Sequence, residues 1–146
     1  MKKNEKPITV EQTFNAASEE VWKAITELDL MRQWYFENIP AFIPVVGFKT
    51  KFNVVSDGRN FLHKWRITEV VPGKVIKYNW RFEEYPGEGL VEFKILIENN
   101  KTKLRLTNYV LEDFPDDVPE FTRESCHGGW TYFINERLKE FLDKDK

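Results

Sequence analysis

The hydrophobic positions change period along the chain, and each change marks an element. Ile8, Val10 and Phe14 alternate with Thr9, Glu11 and Thr13, the period of two expected of a half-buried strand. Val21, Trp22, Ile25 and Leu28 then follow helical spacing. Ser18 supplies an N-cap, with Glu19 and Glu20 in the first turn where the helix dipole favours acids. A second short helix carries Leu30, Met31, Trp34 and Tyr35, with Asp29 as its cap, and helical geometry stops before Pro40 and Pro44.

From Gly47 the period returns to two. Phe48, Thr50, Phe52 and Val54 share one face, with Lys49, Lys51 and Asn53 opposite. After the turn residues Ser56-Asp57-Gly58, a strand over 60–71 puts Phe61, His63, Trp65 and Ile67 on one side and Lys64, Arg66 and Thr68 on the other. Pro72-Gly73 leads into 74–83, where Ile76, Tyr78, Trp80 and Phe82 oppose Lys77, Asn79 and Arg81. Tyr85-Pro86-Gly87 reads as the next turn and 89–98 as a strand burying Val91, Phe93, Ile95 and Ile97. Asn99-Asn100 is a hairpin signal, because Asn tolerates positive φ, and 101–111 presents Leu104 and Leu106 inward. One apolar and one charged face per strand is the mark of an antiparallel sheet covered on one side.

Residues 119–146 form the only segment that calls for a long amphipathic helix. At 100° per residue, Cys126, Trp130, Phe133, Ile134, Leu138, Phe141 and Leu142 gather on one side, with Arg123 and His127 continuing that side toward the N-terminal end. Gly128-Gly129 interrupts the stripe and predicts a kink or a close approach, because glycine inside a helix costs about 1 kcal/mol relative to alanine. The predicted class is therefore α+β. A curved antiparallel sheet of about six strands wraps around a long C-terminal helix, with two short helices after strand 1. Residues 1–7 read as a flexible polar tail and 8–146 as one domain.

Composition adds the candidate chemistry. Aromatic residues make up 15% of the chain, with 12 Phe, 5 Trp and 5 Tyr, enough to fill a sheet-lined core or to line a pocket. Net charge is −2 with the two signs interspersed, and Lys2-Lys3 is the only basic cluster along the sequence, so no nucleic-acid partner is expected. The single cysteine excludes an internal disulfide and fits a reducing compartment. No stretch is apolar enough for membrane insertion or a secretory leader, and a cytoplasmic location is the expectation. Two histidines and one cysteine without ligand spacing imply neither a metal nor a cofactor. Cys126-His127 resembles a nucleophile and base, but helix neighbours point about 100° apart.

The chain resembles the START-like or Bet v 1-like superfamily (SRPBCC), whose helix-grip fold matches the predicted order. Within it the chain is most similar to the heat shock protein 90 ATPase activator C-terminal-domain-like family. The resemblance lies in VEQTFNA at 10–16 leading into SEEVWKAI at 18–25, Trp34, WRITEVVPGK at 65–74, and Tyr78-Asn79-Trp80. Thr102-Lys103-Leu104 and Gly129-Trp130 complete it. It spans about residues 8–142 and implies a cavity between sheet and helix that holds an apolar or amphipathic small molecule.

The expected cavity walls are Trp34, Phe52, Trp65, Tyr78, Trp80, Phe93, Trp130 and Ile134, with His63, Arg123 and His127 as polar groups that orient a ligand. Each has a plainer reading: aromatics as core, His63 as a hydrogen-bonded core histidine, Arg123 and His127 as side chains reaching water. No catalytic residue is implied. Two other functions compete: a chaperone-associated interaction module, by family analogy, and an enzyme using His63 or His127 as acid or base.

Overall fold

A computed structural model of the chain describes residues 1–143. The order is β1 (Ile8–Phe14), α1 (Ser18–Thr26), α2 (Leu28–Trp34), β2 (Lys49–Ser56), β3 (Arg59–Val71), β4 (Val75–Phe82), β5 (Tyr85–Glu98) and β6 (Lys101–Glu112). A 3₁₀ turn (Pro119–Phe121) then leads into the final helix. The strands form one antiparallel sheet in the order β1-β6-β5-β4-β3-β2, so β2 to β6 is a meander and β1 returns to the far side of β6. This is the helix-grip arrangement that the sequence predicts. Register shifts in β3–β4, β4–β5 and β5–β6 bend the long strands, and bends of this kind let a sheet curve around a helix.

Several local expectations are corrected. The first helix is preceded by an extended Ala17, not capped by Ser18, and no side chain caps it. Glu27, also extended, precedes α2, leaving Asp29 inside its first turn. The tight turn before β5 falls on Glu83-Glu84, and Tyr85-Pro86-Gly87 already belongs to the strand. Gly87 adopts φ 115°, and the Phe114 ring occupies the place that a Cβ would take, so this position requires glycine twice over. Asn99 and Asn100 both sit at positive φ, 54° and 63°, and make the predicted β5–β6 hairpin.

The final helix starts at Arg123 rather than at 119, with Thr122 as its N-cap: the Thr122 hydroxyl accepts the Ser125 N–H at 3.2 Å. It has three consecutive parts, α3 (Arg123–Thr131), a π-helical stretch (Tyr132–Leu138) and α4 (Lys139–Asp143), and the backbone stays helical through both joins. The predicted continuation to residue 146 lies outside the described residues. Trp130, Ile134, Leu138 and Leu142, every fourth residue, are buried on the sheet. A uniform α-helix would let a spacing of four drift around its axis, and the wider π turns compensate for that drift.

Two separate groups of buried apolar residues result. The larger is built on β1, α1, α2, the inner faces of β3 to β6 and the final helix from Trp130 onward. The smaller contains Phe61, Phe114, Val118 and Phe121, at the end where the 3₁₀ turn approaches the β3–β4 sheet. Residues 1–7 are not held apart from the domain: the Lys3 N–H donates to Asp113 at 2.7 Å and Lys2 pairs with Asp116 at 2.8 Å.

Candidate functional site: the cavity at the seam of two cores

A cavity of about 310 Å³ opens between the sheet and the N-terminal half of the final helix. It lies where the two apolar groups fail to merge. Phe36, His63, Trp80, Trp130 and Phe133 come from the larger side; Phe61, Phe82, Phe114 and Phe121 come from the smaller. Two glycines help keep it open, Gly89 on β5 and Gly129 on α3, since neither puts a side chain into the space. An added Cβ would meet nothing within 4 Å at Gly129, and nothing nearer than 3.4 Å at Gly89. The expectation that Gly128-Gly129 permits close packing is therefore wrong: the pair faces open space on a rim.

Polar groups are few and mostly committed. Asn108, 6% exposed, projects from the inner face of β6. Its Oδ1 accepts the Trp130 Nε1–H at 2.9 Å and the Cys126 thiol at 3.6 Å, while its Nδ2 donates to the Tyr109 carbonyl. Burial pushes the Cys126 thiol up to about 11, so it stays protonated at neutral pH. Glu120 is the one charged side chain in the lining among the described residues, and Arg59 grips both its oxygens, at 2.9 and 3.0 Å. That bidentate pair ties the β2–β3 hairpin to the 3₁₀ turn.

His63 sits within an aromatic cage. Its ring stacks on Phe52 at 5.0 Å and meets Phe36, Trp80 and Phe82 at 5.2, 5.3 and 4.8 Å. Desolvation by burial lowers its pKa to about 4, outweighing the backbone hydrogen bond to Phe61. The neutral ring donates Nδ1–H to the Phe61 carbonyl at 3.0 Å, which leaves Nε2 an acceptor without a partner among the described residues.

Of the residues expected to form the site, the structure brings His63, Trp80 and Trp130 together at the cavity. Trp34, Phe52, Trp65, Tyr78, Phe93 and Ile134 are buried in the larger core behind it. Trp34 pins the two short helices through Nε1–H to the Ala24 carbonyl at 2.8 Å, and the Tyr78 hydroxyl is bonded to that of Tyr35 at 2.9 Å. Arg123 and His127 do not reach the cavity. Arg123 donates to the carbonyls of Lys6 and Pro7, the segment entering β1, and His127 is exposed. Helical projection puts both on the line of Trp130 and Ile134, but in the structure both are exposed.

The lining residues not anticipated include Met1, Phe36, Val54, Ser56, Phe61, Phe82, Gly89, Asn108, Phe114, Glu120, Phe121, Cys126 and Phe133. Asn108 was within reach, because the inward period of Leu104 and Leu106 continues onto it. Phe36 and Phe114 lie outside any periodic stretch, and Phe121 precedes the stripe that begins at Arg123.

Residues 15–143 match the family described as Activator of Hsp90 ATPase homolog 1-like protein. The chain belongs to that family. Its fold recurs in solved structures of low sequence identity. Protein CV1439 from Chromobacterium violaceum is 20% identical with a TM-score of 0.77, covering 94% of this chain and 97% of that one. The Aha1 dimer from Colwellia psychrerythraea is 23% identical with a TM-score of 0.71, covering 96% and 98%. DynU16, from the dynemicin biosynthetic locus, is 22% identical with a TM-score of 0.75; 97% of this chain matches 49% of that one. No functionally curated protein matches in sequence. Family and fold agree with the resemblance read from the sequence. Among the described residues, no helix is long and apolar enough to cross a membrane, and no group of side chains could hold a metal ion.

Proposed function

We propose that this chain is a cytoplasmic binding protein for a neutral, apolar or weakly amphipathic small molecule held at the seam of the two cores. The observation behind this reading is the cavity itself: about 310 Å³, walled by eight phenylalanine and tryptophan rings. That volume is at the lower end for small-molecule pockets, and aromatic walls with few polar groups are typical of them. Binding energy would come from buried apolar area, about 25 cal/mol per Å² before ordering costs.

The lining also bears on what would be excluded. Among the described residues no lysine or arginine lines the cavity, and its one carboxylate is already paired. Met1 borders the cavity as well, and its ammonium donates to the carbonyl of Phe121, another lining residue, at 2.8 Å. A fatty-acid headgroup would lose its hydration and find only the Met1 ammonium, already bonded to Phe121. A hydroxyl, in contrast, can donate to His63 Nε2. His63 therefore replaces Arg123 and His127 as the group that would orient a ligand.

The test is calorimetry and thermal denaturation with 2-naphthol and decanoate as probes. 2-Naphthol is expected to bind and raise the melting temperature, and decanoate to bind more weakly. Gly129→Leu, which places a side chain at the rim, should abolish 2-naphthol binding without lowering the melting temperature of the free protein. Binding that survives Gly129→Leu unchanged, or equal binding of decanoate, would refute the reading.

The family match favours a second reading, a chaperone-associated interaction module. Its test is the ATPase rate of a purified heat shock protein 90 with and without this chain, and an unchanged rate with no complex on gel filtration would remove it. Catalysis in the cavity has weaker support, because the Cys126 thiol is protonated, His127 lies outside and His63 commits one nitrogen to Phe61.

A further inference from the structure

The outer face of the sheet distributes its charges unevenly. Toward β1 most cations are matched: Lys77 bridges Glu69 and Glu92, Lys103 bridges Glu11 and Glu98, and Arg105 pairs with Glu11, with Lys94 opposite Arg105 as the exception. Around β3 they are not. The strand registers place Lys49 opposite Arg66, Lys51 opposite Lys64, and Lys64 opposite Arg81. Three adjacent cross-strand positions thus oppose like charge to like charge, an arrangement that costs stability.

Carboxylates relieve only part of this. Glu83 reaches Lys64 at 2.8 Å and Glu88 reaches Arg81 at 3.1 Å. Lys49, Lys51 and Arg66 form no ion pair among the described residues, although Lys51 adds to the field, led by Lys64, that holds the Glu83 carboxyl low. All five cations line one groove of about 650 Å³, together with Asn79 and Glu88. No basic run along the sequence announces this cluster; it is assembled by register from three strands.

We propose that this groove docks an extended acidic segment of a partner protein. Side chains two residues apart on a strand are separated by about 6.6 Å, the spacing of Lys49 from Lys51 and of Lys64 from Arg66. An extended chain with Asp or Glu at alternate positions repeats that spacing and can set its carboxylates against the cations. The recess argues against a bilayer, whose headgroups form a broad surface and cannot follow a groove. The only ring in the lining, Trp65, is 2% exposed, so single-stranded nucleic acid would find no stacking platform. The groove lies on the opposite face of the sheet from the cavity, and the two proposals stand or fall separately.

Fluorescence anisotropy of the full chain with a labelled eight-residue peptide alternating Glu and Thr tests it. Binding is expected, weakening about tenfold between roughly 50 and 300 mM salt. Lys51→Glu should weaken it about tenfold and also raise the melting temperature, since a like pair with Lys64 becomes an opposite pair. Lys101→Glu, at the β5–β6 hairpin, changes net charge equally and should leave the affinity within about twofold. No binding at millimolar peptide, equal losses from Lys51→Glu and Lys101→Glu, or tighter binding to a thymidine octanucleotide or to phosphatidylserine vesicles would overturn the proposal.

Discussion

Asn108 Oδ1 accepts the Trp130 indole N–H at 2.9 Å and so joins the floor of the sheet to the final helix. Both residues are buried, 6% and 4% exposed. Asn108→Leu should destabilise the protein by about 1–3 kcal/mol, the cost of a buried donor left unpaired. Urea denaturation measures this. Trp130→Phe in the Asn108→Leu background should cost less than Trp130→Phe alone, because the two changes then remove one shared interaction. Additive losses would show that the bond contributes nothing of its own.

His63 makes stability depend on pH in a defined direction. Its folded pKa of about 4 lies below the ordinary value of 6.5, so between these limits the unfolded chain binds a proton that the folded chain does not. Stability is unaffected by this group above pH 6.5 and falls as the pH drops toward 4. At pH 5 the loss attributable to His63 is about 2 kcal/mol. Comparison of His63→Phe with the unaltered chain by urea titration at pH 7 and pH 5 isolates it. The variant should lose less stability between the two pH values, and parallel losses would contradict the assignment.

Tyr35 and Tyr78 share a hydroxyl–hydroxyl bond of 2.9 Å in the larger core, and burial raises both their pKa values. Tyr78→Phe should cost about 1–2 kcal/mol by stranding the Tyr35 hydroxyl, whereas Tyr35→Phe/Tyr78→Phe should recover part of that loss. Thermal denaturation of the three variants decides the matter, and a double variant worse than the sum of its singles would be the contrary result.

Gly128 and Gly129 leave stability unused. Neither position has positive φ, and an added Cβ meets nothing at either. Each alanine substitution should stabilise the protein by about 0.5–1 kcal/mol through helix propensity. A loss of stability would mean that the helix needs glycine for a reason other than space.

The strand faces were legible because each strand pairs an apolar row with a charged row, and a period of two survives any detail of packing. Asn99-Asn100 was legible because few residue types tolerate positive φ in succession. Helix starts were less so: Ser18 has the chemistry of a cap, but the chain turns helical one residue earlier. The walls of the cavity were the least legible part. Trp80 and Trp130 could be placed on the inner side, yet which inner aromatics border empty space depends on where two cores stop short of each other. The cation groove required register, because Lys49, Lys64 and Arg81 look ordinary until β2, β3 and β4 are laid side by side.

The π-helical stretch from Tyr132 to Leu138 divides the final helix mechanically. Its i→i+5 hydrogen bonds have poorer geometry than those of the α turns on either side, so the compliant part of this helix is its middle rather than its ends. C-terminal to it, Leu142 anchors the helix in the larger core; N-terminal to it, α3 forms the cavity wall with Cys126, Gly129 and Trp130. The wall can thus tilt about a built-in flexure while the anchor stays seated. Backbone amides of residues 132–138 would then exchange with solvent deuterium sooner than those of α4, the reverse of ordinary fraying.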